Sequence, residues 1–371
     1  MSEYWNNRTK TLSPYVPGEQ PKDRQFIKLN TNENPYPPSP KVIEAIQKTA
    51  GERLRLYPDP ACIEFREAVA ARYGVKPEQV FAGNGSDEIL AFAFGAFFES
   101  GVNAEPILFP DITYSFYPVY AGLWDIPYRT IPVGEDFSIN IADYKIPSGS
   151  VIFPNPNAPT GMALPLCDIL SLSEYLEKQK KVFIVDEAYI AFAGNGGGGS
   201  AVESAIPHID YANLLIVHTL SKSASLAGLR VGFAIGNEKL IEGLCRVRDS
   251  FNSYTLDRLA LAGAAAAVSD SAYYNEINSR VIATRERVTT SLRDLGCTVF
   301  PSSANFIFMK AQDAHGKSIS GAAFFTALRD RGILVRHFNK ERIADYLRVS
   351  IGTDEEMDKF LDACKEIIGK I

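Results

Sequence analysis

Leu214-Leu215-Ile216-Val217-His218-Thr219-Leu220-Ser221-Lys222 is four apolar residues running into a polar turn that ends on a lysine. A second run, Val182-Phe183-Ile184-Val185, ends in Asp186-Glu187-Ala188-Tyr189. Neither run alternates polar with apolar, so each reads as a strand covered on both faces by helices. Five further short apolar runs have the same character: Val80–Ala82, Ile107–Phe109, Pro127–Ile131, Val151–Phe153 and Val231–Ile235. Helical stretches separate most of them. The pattern predicts an α/β fold whose large lobe holds a seven-stranded, mostly parallel sheet in α/β/α layers.

Beyond Ile235 the pattern changes. Helical stretches are expected at 238–250, 256–268 and, long and polar, at about 275–295. Short runs at 298–300, 305–309, 333–336 and 346–351 then mix with helices at 321–331 and 355–368. This predicts a smaller α+β lobe. Residues 1–35, rich in Pro and Asn, read as an N-terminal arm joining the small lobe. The expected division is 1–35 arm, 36–255 large domain and 256–371 small domain. The charges of the long helix (Arg280, Arg285, Glu286, Arg287, Arg293) read as a solvated face, and Gly194–Ser200 as a surface insertion.

Bulk composition narrows the function. A net charge of -6 over 371 residues argues against a nucleic-acid or anionic-membrane surface. No stretch approaches the ~20 apolar residues of a membrane span. The N-terminus lacks a signal-peptide core. Five scattered cysteines with no CxxC pair suit a reduced, cytoplasmic protein with neither disulfide framework nor metal site.

The chemistry-bearing residues cluster at strand ends. Lys222 offers an amine; burial beside cations lowers its pKa and favours the neutral nucleophile. Asp186, where a buried strand ends, needs a cationic partner. A protonated pyridine nitrogen fits, and Tyr189 is placed to reach a ring hydroxyl. Gly83-Asn84-Gly85-Ser86-Asp87-Glu88 joins a strand to a helix N-terminus, where free N–H groups suit a phosphate. Ser221 and Arg230 add a hydroxyl and a fixed cation. Tyr114 could stack on a ring. Asn155-Pro156-Asn157-Ala158-Pro159-Thr160-Gly161 presents amides from a proline-fixed turn. Arg348, inside the apolar run Tyr346–Ile351, and Arg336 each ask for an anion. Together these groups are what a pyridoxal phosphate site requires.

Assembled, the residues resemble the fold-type-I pyridoxal-phosphate aminotransferases, and among them the histidinol-phosphate aminotransferase family. The resemblance rests on residues 26–40, Tyr57-Pro58-Asp59-Pro60, 83–88, 157–161, Asp186–Tyr189 and 221–232, in that family's order and spacing. It implies that Lys222 forms the covalent link to the cofactor and shuttles protons. Asp186 pairs with the pyridine nitrogen, Tyr189 with the ring oxygen, and Tyr114 stacks on the ring. Ser86, Asp87, Ser221 and Arg230 surround the phosphate, and Tyr57 reaches a partner's cofactor across a homodimer interface. Arg348 and Arg336 grip substrate anions, and the arm near Asn32 and Tyr36 closes over them. The implied reaction is amino transfer between glutamate/2-oxoglutarate and histidinol phosphate/imidazole acetol phosphate. An aromatic aminotransferase or a threonine-phosphate decarboxylase-like enzyme is the alternative; a sensor domain of a regulator is disfavoured by the short arm and acidic charge. One position departs from many relatives: Ala158 stands where Asn commonly precedes Pro-Thr-Gly. The ring-oxygen amide is therefore assigned to Asn157, with Asn155 as the other candidate.

Overall fold

The computed structural model describes residues 2–15, 18–20, 25–194, 202–313 and 316–369. The glycine-rich stretch, beyond Gly194, lies outside them. The chain opens with α1 (Asn7–Thr11), β1 (Ile27–Lys28), α2 (Pro40–Thr49) and α3 (Ile63–Tyr73). The large sheet is built from β2 (Val80–Gly83), β3 (Ile107–Pro110), β4 (Tyr128–Ile131), β5 (Val151–Pro154), β6 (Phe183–Asp186), β7 (Leu214–Thr219) and β8 (Gly232–Gly236). Between these strands run α4 (Gly85–Phe97), α5 (Tyr117–Trp124) and α6 (Leu166–Glu177). The sheet has seven strands in the order β2-β8-β7-β6-β5-β3-β4. Only β8 runs against its neighbours, pairing antiparallel with β2 and β7. All seven expected strands are present.

Uniformly apolar strands follow from burial on two sides. Phe183, Val185, Leu214 and Ile216 point into a core shared with α3, α6 and α8 (Arg258–Ser269). The alternate residues Ile184, Leu215 and Val217 point into a second core shared with α4, α5 and α7 (Glu238–Phe251). Each such side chain adds roughly 1.5–3 kcal/mol of apolar burial.

The second lobe is built on α9 (Ser271–Asp294), β9 (Thr298–Val299), β10 (Phe306–Lys310), α10 (Gly321–Asp330), β11 (Ile333–Leu334), β12 (Arg336–His337), β13 (Leu347–Ser350) and α11 (Asp354–Ile368). Its antiparallel sheet has the order β12-β13-β10-β9. The early strand β1 pairs in parallel with β11, so residues 27–28 are built into this lobe. Helix α9 joins the lobes: Tyr274 and Ile277 enter the first core, Val281, Val288 and Leu292 the core of the second.

The solvated-face reading of α9 fails at Arg285, which is 2% exposed. Its Nη1 donates to the carbonyls of Phe192 and Ala304, each at 2.8 Å, and its other nitrogens bond Glu286. The guanidinium is tolerated inside because its fork meets these acceptors. Positions 281, 285, 288 and 292 form one helical stripe, so the spacing marked Arg285 as inward while its charge masked it. Arg287 does face outward, pairing with Asp354 and Asp358.

Candidate active site

Parallel strands collect their carboxyl ends on one edge, where an α/β sheet forms its binding crevice. There Pro154, Asp186 and Val217 stand in register on β5, β6 and β7. A cleft of about 100 Å³ opens above them, lined by Ser86, Asp87, Tyr114, Asp186, Tyr189, Ser221, Lys222 and Arg230, with Pro154, Ala158, Ala188 and Thr219. Eight of the fourteen expected site residues thus meet at one place. A larger cavity of about 390 Å³ lies behind Ala188 and Thr219. Its buried pair, Glu187 with His218 at 3.0 Å, is closed on itself, with Ser204 and the Ala205 N–H also donating to Glu187.

The electrostatics of the cleft are unusual. Asp186 is 4% exposed and accepts from the Ala188 N–H at 3.1 Å. Burial, with Asp87 and Glu187 adding to it, pushes its carboxyl up to about 7. The charge of Lys222 only partly offsets this, so a cation placed against the carboxylate would stabilise it. Lys222 donates to the Thr31 carbonyl at 3.1 Å. Burial, then the neighbouring charge of Arg348, brings its amine down to about 8, against the opposing pull of Glu33 and Asp87.

The anion cradle is backbone and cation. Gly85 has φ 78°, and a Cβ there would lie 2.7 Å from the Arg230 guanidinium. A Cβ on Gly232 would lie 2.7 Å from the backbone of Gly85 and Ser86. Glycine is needed at both points for β8 and Arg230 to approach the N-terminus of α4. Arg230 donates to Ser221 Oγ at 3.3 Å and to Asp87 at 2.9 Å. Asp87 also accepts from the Tyr114 hydroxyl at 2.6 Å, fixing that ring at the cleft wall. Free helical N–H groups, a serine pair and an arginine suit a phosphate. The buried acid suits a protonated ring nitrogen, and the amine suits an aldehyde. The donor set therefore fits pyridoxal phosphate.

Arg336 and Arg348 are cross-strand neighbours on β12 and β13. Arg348 donates to the Asn30 carbonyl at 3.0 Å, yet its Nε is buried without a partner. Its guanidinium lies 5.4 Å from the Phe306 ring and 5.7 Å from Phe338. Arg336 lies 5.6 Å from Phe338. Like charges directly opposite repel, so the pair calls for an anion between them.

Four expected residues sit elsewhere. Asn157 is fully buried and turned toward its own loop and the segment after β3: its amide donates to the Ile112 carbonyl and Thr160 hydroxyl and accepts from Thr113. Asn155 is likewise closed onto Leu164. Of this turn, Pro154 and Ala158 face the cleft. Asn32 is buried and bonds Tyr189 rather than standing open to a substrate. Tyr36 lies under Arg280, 4.1 Å from its ring centroid, away from the cleft lining. Tyr57 is 77% exposed and stacks on Tyr254, outside its own chain's cleft. Sequence reasoning missed the carbonyls of Asn30 and Thr31 and the hydroxyl of Ser350. Backbone acceptors carry no signature in residue identity, and the burial of Leu29, Asn30 and Asn32 beside β13 has no local periodicity to announce it.

The sequence model of the aminotransferase class I and II family matches residues 24–364. The chain belongs to that family. Among curated relatives, this aminotransferase is 53% identical over 99% of its length to the whole of a histidinol-phosphate aminotransferase from Clostridium acetobutylicum. It is 51% identical to histidinol-phosphate aminotransferase 1 from Hydrogenovibrio crunogenus, with 99% of each chain covered. These relatives place it within the histidinol-phosphate aminotransferase family. Its fold matches the crystal structure of the Sinorhizobium meliloti histidinol-phosphate aminotransferase in complex with pyridoxal-5'-phosphate. The TM-score is 0.86 at 24% identity, covering 99% of this chain and 98% of that one.

Proposed function

We propose that this aminotransferase uses pyridoxal phosphate to move an amino group from glutamate to imidazole acetol phosphate, giving L-histidinol phosphate and 2-oxoglutarate. The observation that carries the reading is one cleft lined by the Lys222 amine, the buried Asp186 carboxylate and Arg230 beside Ser221. Full-length identity of 53% to a histidinol-phosphate aminotransferase supports the substrate.

When bound, the cofactor supplies an electron sink conjugated to the reacting carbon. Asp186 keeps the ring nitrogen protonated; a cation there draws its own pKa back down. Lys222 would anchor the cofactor through its aldehyde, and its amine would carry the proton taken from the substrate Cα. Burial and the charge of Arg348 already lower the amine's pKa toward the range in which a group gives and takes protons. The α4 N-terminus, Ser86, Ser221 and Arg230 hold the phosphate, and Asp87 orients Arg230 and Tyr114. Arg348 and Arg336 bind the second anion, a carboxylate in one half-reaction and a phosphate in the other. Arginine's planar donors serve both.

Leu54, Leu56, Tyr57, Ile63, Phe251 and Tyr254 are exposed apolar side chains, and Tyr57 stacks on Tyr254. This supports a homodimer in which Tyr57 reaches the partner's phosphate site. The cytoplasm is the proposed compartment, in keeping with five free thiols.

A substrate panel read by cofactor absorbance tests the reading. Histidinol phosphate and glutamate should each convert the bound cofactor, and 2-oxoglutarate should reverse the change. Preference for phenylalanine or tyrosine, or release of carbon dioxide from a phosphorylated amino acid, would overturn the substrate assignment. Lys222→Ala should retain cofactor noncovalently and lose turnover by several orders of magnitude. A rate near wild type would remove Lys222 from the mechanism.

A further inference from the structure

Asn32 stands where the two lobes meet. It is 1% exposed and has φ 57°, in the left-handed region that asparagine enters more readily than most residues. All its polar groups are engaged. Its Nδ2 donates to the Tyr189 hydroxyl at 3.0 Å, and its Oδ1 accepts from Ser350 Oγ at 2.8 Å. Its N–H donates to the same Ser350 oxygen at 2.8 Å, and its carbonyl accepts from Asn305 Nδ2 at 3.0 Å.

This arrangement has a direction. Ser350 Oγ takes the Asn32 N–H, so its own proton goes to Asn32 Oδ1. That fixes the amide with Nδ2 toward Tyr189. Since Tyr189 already accepts there, its own proton points away from Asn32. Burial, with Asp186 and Asp87 adding to it, raises its pKa against the opposing charge of Arg348 and the Asn32 hydrogen bond, which keeps that proton in place. Tyr189 lines the cleft; the amides of Asn157 and Asn155 do not, and Ala158 presents a methyl group.

We propose that Ser350 and Asn32 are positioning residues that aim the Tyr189 proton at the cofactor's ring oxygen, and so set the pH at which the bound cofactor titrates. The proposal rests on the pyridoxal phosphate reading. A donor to an anionic ring oxygen drains the charge that otherwise holds a nearby proton. The bound cofactor therefore loses that proton at a lower pH than it would without the donor. With no side-chain amide sharing the contact, the effect depends on how well Tyr189 is oriented. The same segment also supplies the carbonyls of Asn30 and Thr31 to Arg348 and Lys222, so it touches one anion-binding group and the proton-carrying amine.

The test is a pH titration of the visible absorbance of cofactor-loaded enzyme. Tyr189→Phe should raise the apparent pKa by about one unit, equal to about 1.4 kcal/mol. Asn32→Gly keeps the left-handed backbone available and removes the amide. It should raise the pKa by roughly half a unit or more in the wild-type background and leave the Tyr189→Phe value unchanged. Ser350→Ala should shift it in the same direction, and Ser350→Thr should restore it. Equal shifts with and without Tyr189, or none in Asn32→Gly while Tyr189→Phe shifts, would overturn the relay and leave the cofactor reading standing. Wild-type protein with no visible band would instead sink the cofactor reading. Should Asn32→Gly fail to fold, the Ser350 pair decides: no shift in Ser350→Ala, or no restoration by Ser350→Thr, overturns the relay.

Discussion

Two ionisable side chains in the cleft are held away from their ordinary charge states by burial, and each makes the cofactor-free protein's stability depend on pH. Folded Asp186 keeps its proton to about 7, whereas the reference value is 3.8. Between those values the unfolded chain binds fewer protons, so stability falls as pH rises from about 4 to 7 and stays reduced above. Lys222 runs the other way: its folded value is about 8 against 10.5, so stability rises with pH across that window. Asp186→Asn should therefore match wild type near pH 4 and exceed it above pH 7 by a few kcal/mol. Denaturant unfolding of the cofactor-free protein at the two pH values measures this; a difference independent of pH would contradict the electrostatics. The residue types of this pair were legible because strand-end position already implied burial. The placement of Asn157 was not. Which amide of the turn faces outward depends on hydrogen bonds to Ile112, Thr160 and Leu164 that residue order does not reveal.

At the level of elements, β2, β6 and β7 bring groups far apart in sequence onto one edge, and α9 keeps the second lobe against it. Strands covered on both faces announced themselves through unbroken apolar runs. The arm did not: Leu29, Asn30 and Asn32 are buried. Their depth comes from the parallel pairing of β1 with β11, a long-range contact without local periodicity. Arg285 on α9 is the clearest element-scale test. Arg285→Leu would leave the Phe192 and Ala304 carbonyls buried without donors. The expected loss is on the order of 3–5 kcal/mol in unfolding free energy, with cofactor binding retained at low temperature. Unchanged stability would mean that water or a shifted backbone replaces the guanidinium.

For the whole molecule, the seven-stranded sheet supplies the cofactor cradle and the smaller sheet supplies Arg336 and Arg348. With the two arginines in their proposed role, a substrate would touch both lobes. Tyr57 extends this logic to a second chain. Because it is 77% exposed in its own chain, Tyr57→Ala should leave the fold intact. In a dimer that shares its sites, the same change should weaken cofactor affinity roughly tenfold, the worth of about 1.4 kcal/mol. Equilibrium binding of pyridoxal phosphate alongside sedimentation measures both. Unchanged affinity in a stable dimer would remove Tyr57 from the site.

The covalent anchor is the centre of the account, and borohydride reduction of the cofactor-loaded protein followed by peptide mass analysis tests it directly. The account expects one reduced cofactor per chain, on the peptide containing Lys222. Label on another lysine, or no label on a protein that still transaminates, would contradict it.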